Sequence, residues 1–148
     1  VMESSSSDLK FIHEFMLKHQ FAVISSITQE GKPQASKVEY FVLNGGVDIA
    51  FRTKRDSRKY QNIIQNPAIA LEIGDQDTDT VQYEGIATEF SGIFSRKDSI
   101  TIASRSNKSR VIYDEDDLVY FIVKPTWIRY TDVATRPWRQ IEVKLEIQ

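Results

Sequence analysis

In the first stretch of the chain the apolar residues Leu9, Ile12, Phe15 and Met16 recur every three or four positions, which places them on one face of a helix. Ser6, Ser7 or Asp8 can accept hydrogen bonds from the open amides of a first turn, so a helix is predicted over 8–19, and the serine-rich residues 1–7 are expected to be flexible. The period then changes. Phe21 to Ile27 is rich in β-branched and aromatic residues and is closed by the turn-prone Glu30-Gly31-Lys32-Pro33, a strand followed by a turn. A second strand over 34–43 runs into Asn44-Gly45-Gly46, residues that tolerate the positive φ of a tight hairpin, and a third strand follows over 48–53. Tyr60, Ile63 and Ile64 mark a short helix that opens at Asp56 or Ser57 and is stopped by Asn66-Pro67.

Beyond it the pattern predicts a strand over 68–73, a polar connection over 74–79 and a long strand over 80–94, in which Gly85 signals a bulge or a close backbone approach. A weaker helical pattern covers 96–107. Strands are predicted over 118–124 and 127–132, separated by Pro125, and Ile141, Val143, Leu145 and Ile147 alternate as a last strand. Six or seven mostly antiparallel strands with two or three short helices are more than a flat sheet protects, so a β-rich α+β fold closed into a barrel is expected. The 148 residues, 41% of them apolar, suit a single domain spanning 1–148.

Charge and composition remove several functions. A formal net charge of −2 gives no global basic field to draw in nucleic acid or an anionic lipid surface, and no apolar run approaches the ~20 residues that span a bilayer. The absence of cysteine removes disulfides, thiol nucleophiles and thiolate metal sites, and together with the acidic, serine-rich start it points to the cytoplasm. His13 and His19 are the only histidines; six apart on the first helix, they fall on different sides and read as a solvated face rather than a metal site. The acidic run Asp114 to Asp117 lacks the ligand spacing of a calcium loop and reads as a solvated turn. No serine sits on a nucleophile elbow and no Gly-rich phosphate loop occurs, so no catalytic side chain is assigned.

One local feature departs from this acidic background. Arg52, Lys54, Arg55, Arg58 and Lys59 lie within eight residues, where a strand ending at Thr53 gives way to a helix beginning near Ser57. Open amides and the positive end of a helix attract an anion there, and a hydroxyl, a guanidinium and an ammonium would complete a phosphate grip at Thr53, Ser57, Arg58 and Lys59. A solvated basic helix face is the competing reading.

Phe51-Arg52-Thr53, then Asp56-Ser57-Arg58-Lys59, then Asn66-Pro67, resembles the pyridoxamine 5′-phosphate oxidase-like family of FMN-binding split barrels, in a general-stress-protein-like rather than a true-oxidase form. The first strand, the Gly31-Lys32-Pro33 turn, the strand from Ser36 to Phe41 and the segment Val81 to Ala87 fall in the same order, over residues 9–132. The resemblance implies that FMN is the cofactor, with its phosphate on Ser57, Arg58 and Lys59 near Thr53 and Arg52. Its ring system would lie along Ser36, Lys37, Val38, Glu39 and Tyr40, with Thr80 and Gln82 in the same site, and the flavin would sit at the interface of a homodimer. Trp127 and Trp138 are candidates to stack on the ring, or else to belong to the core or the interface. Two departures concern the oxidase itself: on the strand from Ser36 to Phe41 its arginine position is Ser36 and its substrate-contacting lysine is Phe41, and Val133 to Arg139 does not reproduce the arginine and histidine segment that closes over its substrate. The implied function is a small FMN-dependent oxidoreductase that takes electrons from a nicotinamide donor and is not a vitamin-forming oxidase. A flavin-sequestering module without turnover, or a relative binding deazaflavin or haem, is the alternative.

Overall fold

The computed structural model describes residues 6–74, 77–90, 101–103, 110–111 and 118–146, with backbone alone for 101–103 and 110–111. Asn44 (φ 52°) and Gly45 (φ 68°) both take the left-handed conformation, which is why this pair turns the chain between β2 (Pro33–Leu43) and β3 (Ile49–Lys54). The preceding β1 (Phe21–Ile27) pairs antiparallel with β2 in a register that sets Ala22 against Val38, Ile24 against Ser36 and Ser26 against Gln34. With β4 (Ala68–Ile73), β5 (Asp79–Phe90) and β8 (Leu118–Asp132) the strands follow the order β1-β4-β5-β8-β3-β2, and the β1–β2 pairing closes this six-stranded antiparallel ring. Short strands β6 (Thr101–Ala103) and β7 (Arg110–Val111) extend the far end of β2, and β9 (Arg139–Lys144) pairs with the second half of β8.

Alternation decides what fills the ring. Ala22, Ile24, Val38, Tyr40, Phe51, Leu71, Val81, Tyr83, Phe121 and Ile128 all point inward and are buried, so the barrel holds a packed core rather than a ligand cavity. Phe51 and Phe121 stack with centroids 5.3 Å apart, and each such full burial contributes about 1.5–3 kcal/mol. Helix α1 (Ser6–Leu17) buries Ile12, Phe15 and Met16 against one end of the ring, and the buried Tyr40 hydroxyl donates to the Met16 carbonyl, tying helix to barrel. Helix α2 (Arg58–Gln65) packs against β1 and β3 through Ile63.

Several sequence expectations are corrected. Helix α1 begins at Ser6, two residues before the expected start, while residues 1–5 lie outside the described residues. It ends at Leu17, and neither histidine belongs to a solvated helix face. His13 is half-buried with Nδ1 2.6 Å from the Gly46 carbonyl, and His19 is buried against the Phe15 ring. Residues 101–103 form a strand where a helix was expected; the rest of the 96–107 pattern is largely outside the described residues, as are 91–94 and the Asp114 to Asp117 run.

Pro125 does not divide β8. It lies where one flank of β8 exchanges β3, paired up to Val123, for β9, paired from Trp127, so its missing N–H costs no ladder bond to either. On the other flank Pro125 faces Gly85, and the register slips by one residue at Thr126. The predicted close approach at Gly85 is present: a Cβ there would lie 2.6 Å from the Lys124 carbonyl oxygen. The last strand ends at Lys144, short of the predicted Leu145 and Ile147, the latter outside the described residues.

Candidate functional site

Helix α2 opens with an N-cap at Ser57, held at φ −76° and ψ 154°, whose Oγ accepts from the Tyr60 N–H at 3.1 Å. The same Oγ lies 2.9 Å from Oγ1 of Thr53, a residue only 8% exposed at the end of β3. Thr53 therefore fixes the cap from behind. With Tyr60 satisfied by the cap, the N–H groups of Arg58 and Lys59 are the open donors of the first turn, and no acceptor reaches them among the described residues.

In front of this turn lies a cavity of ≈ 210 Å³, bounded on one side by Ser57, Arg58 and Lys59 and on the other by the β1–β2 hairpin. The hairpin contributes Ser26, Gln34, Ala35 and Ser36. Cross-strand register explains the grouping, because Ser26 faces Gln34 and Ile24 faces Ser36, so the three polar side chains emerge on the inward-facing side of the hairpin where α2 covers it. No carboxylate lines the cavity, and neither Arg58 nor Lys59 has an ion-pair partner among the described residues. Lys59 is partly buried, and that burial holds its ammonium pKa below the ordinary value. Such a group lacks a counter-charge, and an anion would supply one.

The sequence-predicted residues separate into four groups. Ser36, Ser57, Arg58 and Lys59 meet at the cavity, with Thr53 behind them. Val38 and Tyr40 turn their side chains into the barrel core, which leaves only their backbone available along β2. Lys37, Glu39, Thr80 and Gln82 lie on the outer surface of the sheet. There Lys37 Nζ sits 4.9 Å from the Phe21 ring centroid, Glu39 accepts from Gln20 at 2.6 Å, and Thr80 donates to Glu72 and Ile73. Arg52 is exposed on the side of β3 opposite Thr53, away from the cavity.

Gln82 belongs to a groove of ≈ 420 Å³ on that outer surface, where it accepts from Arg129 Nη2 at 3.0 Å while the Arg129 guanidinium lies 5.1 Å from the Trp127 ring centroid. Trp127 is thus outside the core, its Nε1 donating to Glu142 at 2.6 Å, and Trp138 is 55% exposed, so a core role is excluded for both. Ser26, Gln34 and Asn62 were missed. For Ser26 and Gln34 the signal was the hairpin register: once the turn over Thr28 to Lys32 is fixed, Ser26 must face Gln34, two positions before Ser36 on the same side, whereas Asn62 joins them only through the docking of α2.

Among the described residues no cluster of three metal-ligating side chains occurs, and no helix is long and apolar enough to cross a membrane. No curated protein matches the chain in sequence. In structure it is similar to an FMN-binding protein related to pyridoxamine 5′-phosphate oxidase from Nostoc punctiforme, with TM-score 0.64, 11% identity and 91% of each chain covered. It is also similar to General Stress Protein 26 of Bacillus anthracis, at TM-score 0.62 and 16% identity over 90% of this chain and 98% of the other. A heme-binding protein of Mycobacterium smegmatis superposes with TM-score 0.68 and 16% identity over 97% of this chain and 60% of its own. At these identities the superpositions establish the fold. The family model described as pyridoxamine 5′-phosphate oxidase matches residues 9–142, so the hairpin, the α2 turn and the cavity between them all fall inside it, and the chain belongs to the pyridoxamine 5′-phosphate oxidase family.

Proposed function

We propose that the cavity holds the phosphate of FMN and that the protein is a small cytoplasmic flavin-dependent oxidoreductase, passing electrons from a nicotinamide donor to a small-molecule acceptor. The observation that carries this reading is Lys59, a partly buried ammonium without a carboxylate partner among the described residues, set beside Arg58 and the open first turn of α2. The residues fit the group. Lys59, Arg58 and their N–H groups would meet phosphate oxygens, and the Ser36 and Ser57 hydroxyls would complete the grip.

FMN, when bound, supplies the electron-transfer chemistry itself. The chain's part is to bind and to orient. Among the described residues no histidine or carboxylate lines the cavity, so those that do line it offer donors and positive charge rather than a general acid or base of the usual kind. Neither His13, bonded to the Gly46 carbonyl, nor His19, packed on the Phe15 ring, lines this cavity, so neither offers it the axial imidazole of a haem.

The ring system would lie along β2, and the outer surface of the sheet offers grooves of ≈ 650 Å³ beside Phe21, Val23 and Lys37 and ≈ 420 Å³ beside Gln82 and Trp127. Phe21 and Val23 are 41% and 45% exposed on that surface, and a second copy of the chain covering them would exclude water from the flavin, which is the homodimer we propose. Sedimentation equilibrium should show a dimer that Val23→Asp dissociates, and a monomer with FMN bound at micromolar concentration would refute it.

The phosphate assignment is tested by titrating FMN against riboflavin. The unsubstituted protein should prefer FMN strongly and the Arg58→Ala/Lys59→Ala variant should lose the preference; equal affinities in the unsubstituted protein would overturn the assignment. Repeated oxidation of NADH or NADPH through bound FMN supports an enzyme. A single stoichiometric reduction would identify a flavin-sequestering module instead.

A further inference from the structure

The buried side chain that links the two walls of the cavity is Asn62. It lies one turn below Arg58 and Lys59 on α2, is 8% exposed, and donates through Nδ2 to both Ser26 Oγ, at 3.1 Å, and Gln34 Oε1, at 2.9 Å. Its backbone carbonyl accepts from the Asn66 N–H at 2.8 Å, so the residue is anchored where α2 ends.

The direction of these bonds has a chemical consequence. A serine oxygen that accepts from Asn62 has its own O–H left to donate, and a glutamine whose carbonyl oxygen is engaged presents its NH₂. Ser26 and Gln34 both line the cavity, and neither side chain has another hydrogen-bond partner among the described residues. A wall that could have offered acceptors offers donors instead, facing the donors of the α2 turn.

We propose that Asn62 is a positioning residue that sets the donor polarity of the cavity, using both amide hydrogens to pin Ser26 Oγ and Gln34 Oε1 so that the Ser26 hydroxyl and the Gln34 amide donate to a bound phosphate. This rests on the phosphate-binding reading of the cavity and deepens it: recognition is divided between cations on α2 and neutral, pre-oriented donors on the β1–β2 hairpin.

The experiment is a thermodynamic cycle read as the ratio of riboflavin to FMN dissociation constants, which isolates the phosphate contribution from ring binding and from general damage to the fold. Asn62→Leu removes the pin, so Ser26 and Gln34 are released to bond each other across the hairpin, and the ratio should fall about tenfold while the riboflavin constant stays unchanged. Ser26→Ala with Gln34→Met should lower the ratio by a similar factor, and adding Asn62→Leu to that pair should lower it no further, because the residue acts through groups already gone. Asn62→Asp, which can only accept and adds a charge, should reduce the ratio more than Asn62→Leu.

An unchanged ratio in Asn62→Asp, or fully additive losses in the cycle, would overturn the inference. If Asn62→Leu fails to fold, Asn62→Asp and the Ser26→Ala/Gln34→Met pair decide it, since a pair that leaves the ratio intact refutes the donor role directly. A ratio near one in the unsubstituted protein would instead bring down the phosphate reading beneath it, so the two failures are distinct.

Discussion

Replacing Lys59 by methionine separates what the residue does for the fold from what it does for a ligand. In the protein without ligand the ammonium is partly buried beside Arg58, with no carboxylate partner among the described residues, and burial depresses its pKa. A lysine with a depressed folded pKa binds fewer protons folded than unfolded, so the stability of the unliganded protein rises with pH from that depressed value up to the ordinary 10.5. Methionine keeps most of the apolar stem and removes the charge, so Lys59→Met should melt at a higher temperature than the parent at neutral pH and should lack this rise.

Toward a phosphate the sign reverses. A charge-assisted hydrogen bond contributes about 1.5–3 kcal/mol, so Lys59→Met should weaken FMN by about 10- to 150-fold. Riboflavin, with no phosphate, should bind both proteins equally. FMN affinity in the parent should also fall as pH rises through the Lys59 pKa, because the neutral amine no longer pairs with the dianion, and in Lys59→Met this dependence should vanish. Flavin fluorescence titration and thermal melting at matched pH read all three quantities. A variant that loses riboflavin as strongly as FMN, or that melts lower than its parent, would refute the reasoning.

Two other positions give sharp expectations. Gly85→Ala places a methyl group 2.6 Å from the Lys124 carbonyl oxygen and 3.0 Å from Val123 Cγ1, a backbone clash in the centre of the sheet, and should cost about 1–3 kcal/mol or more, seen as a melting temperature lower by several degrees. An unchanged melting temperature would mean that the β5–β8 approach is looser than described. The Tyr130 phenol is pushed up to about 12, first by burial and then by its 2.9 Å bond to Asp79, with the Asp79 and Asp132 charges adding to the shift and Arg139 opposing it. Between the ordinary value of 10.0 and about 12 the unfolded chain releases this proton first, so stability should decline across that window. Tyr130→Phe should flatten the decline, and an ultraviolet titration placing the tyrosine near its ordinary value would contradict the assignment.

The barrel was legible because its signals are local. Period-two alternation in Phe21 to Ile27, the Asn44-Gly45 turn and the Asn66-Pro67 stop each act over a few residues and need no tertiary information. Pro125 misled because its meaning depends on which strands flank it, and a strand that exchanges neighbours accommodates a proline that a uniformly paired strand would not. The histidines misled because period counting locates a helix face but not what packs on it, here the β2–β3 turn over His13 and Phe15 over His19. At the site, the charged half stood out as a local excess of basic residues. Ser26, Gln34 and Asn62 are polar and unremarkable one at a time, and they become a group only when hairpin register and helix docking are combined.

The filled interior constrains where any cofactor can go. Tyr40, Phe51, Tyr83 and Phe121 are fully buried inside the ring, and the Tyr40 and Tyr83 hydroxyls are committed to the Met16 and Val47 carbonyls, so admitting a planar ring system would require dismantling the core. A cofactor would thereby be displaced to the surface, as in the cleft proposed where α2 meets the hairpin. A surface site can fix the charged end of a ligand through helix amides and cations, both of which the proposed cleft presents, but a flat aromatic ring lying on a single sheet would keep one face in water. The exposed apolar residues Phe21 and Val23 lie on the outer side of the hairpin whose inner side lines the cleft, so one covering chain could shield both the residues and the ring. On this argument phosphate recognition is a property of one chain and ring shielding a property of two. Dissociating the protein by Val23→Asp should therefore weaken FMN and riboflavin by the same factor and leave their ratio untouched, whereas Lys59→Met changes the ratio alone.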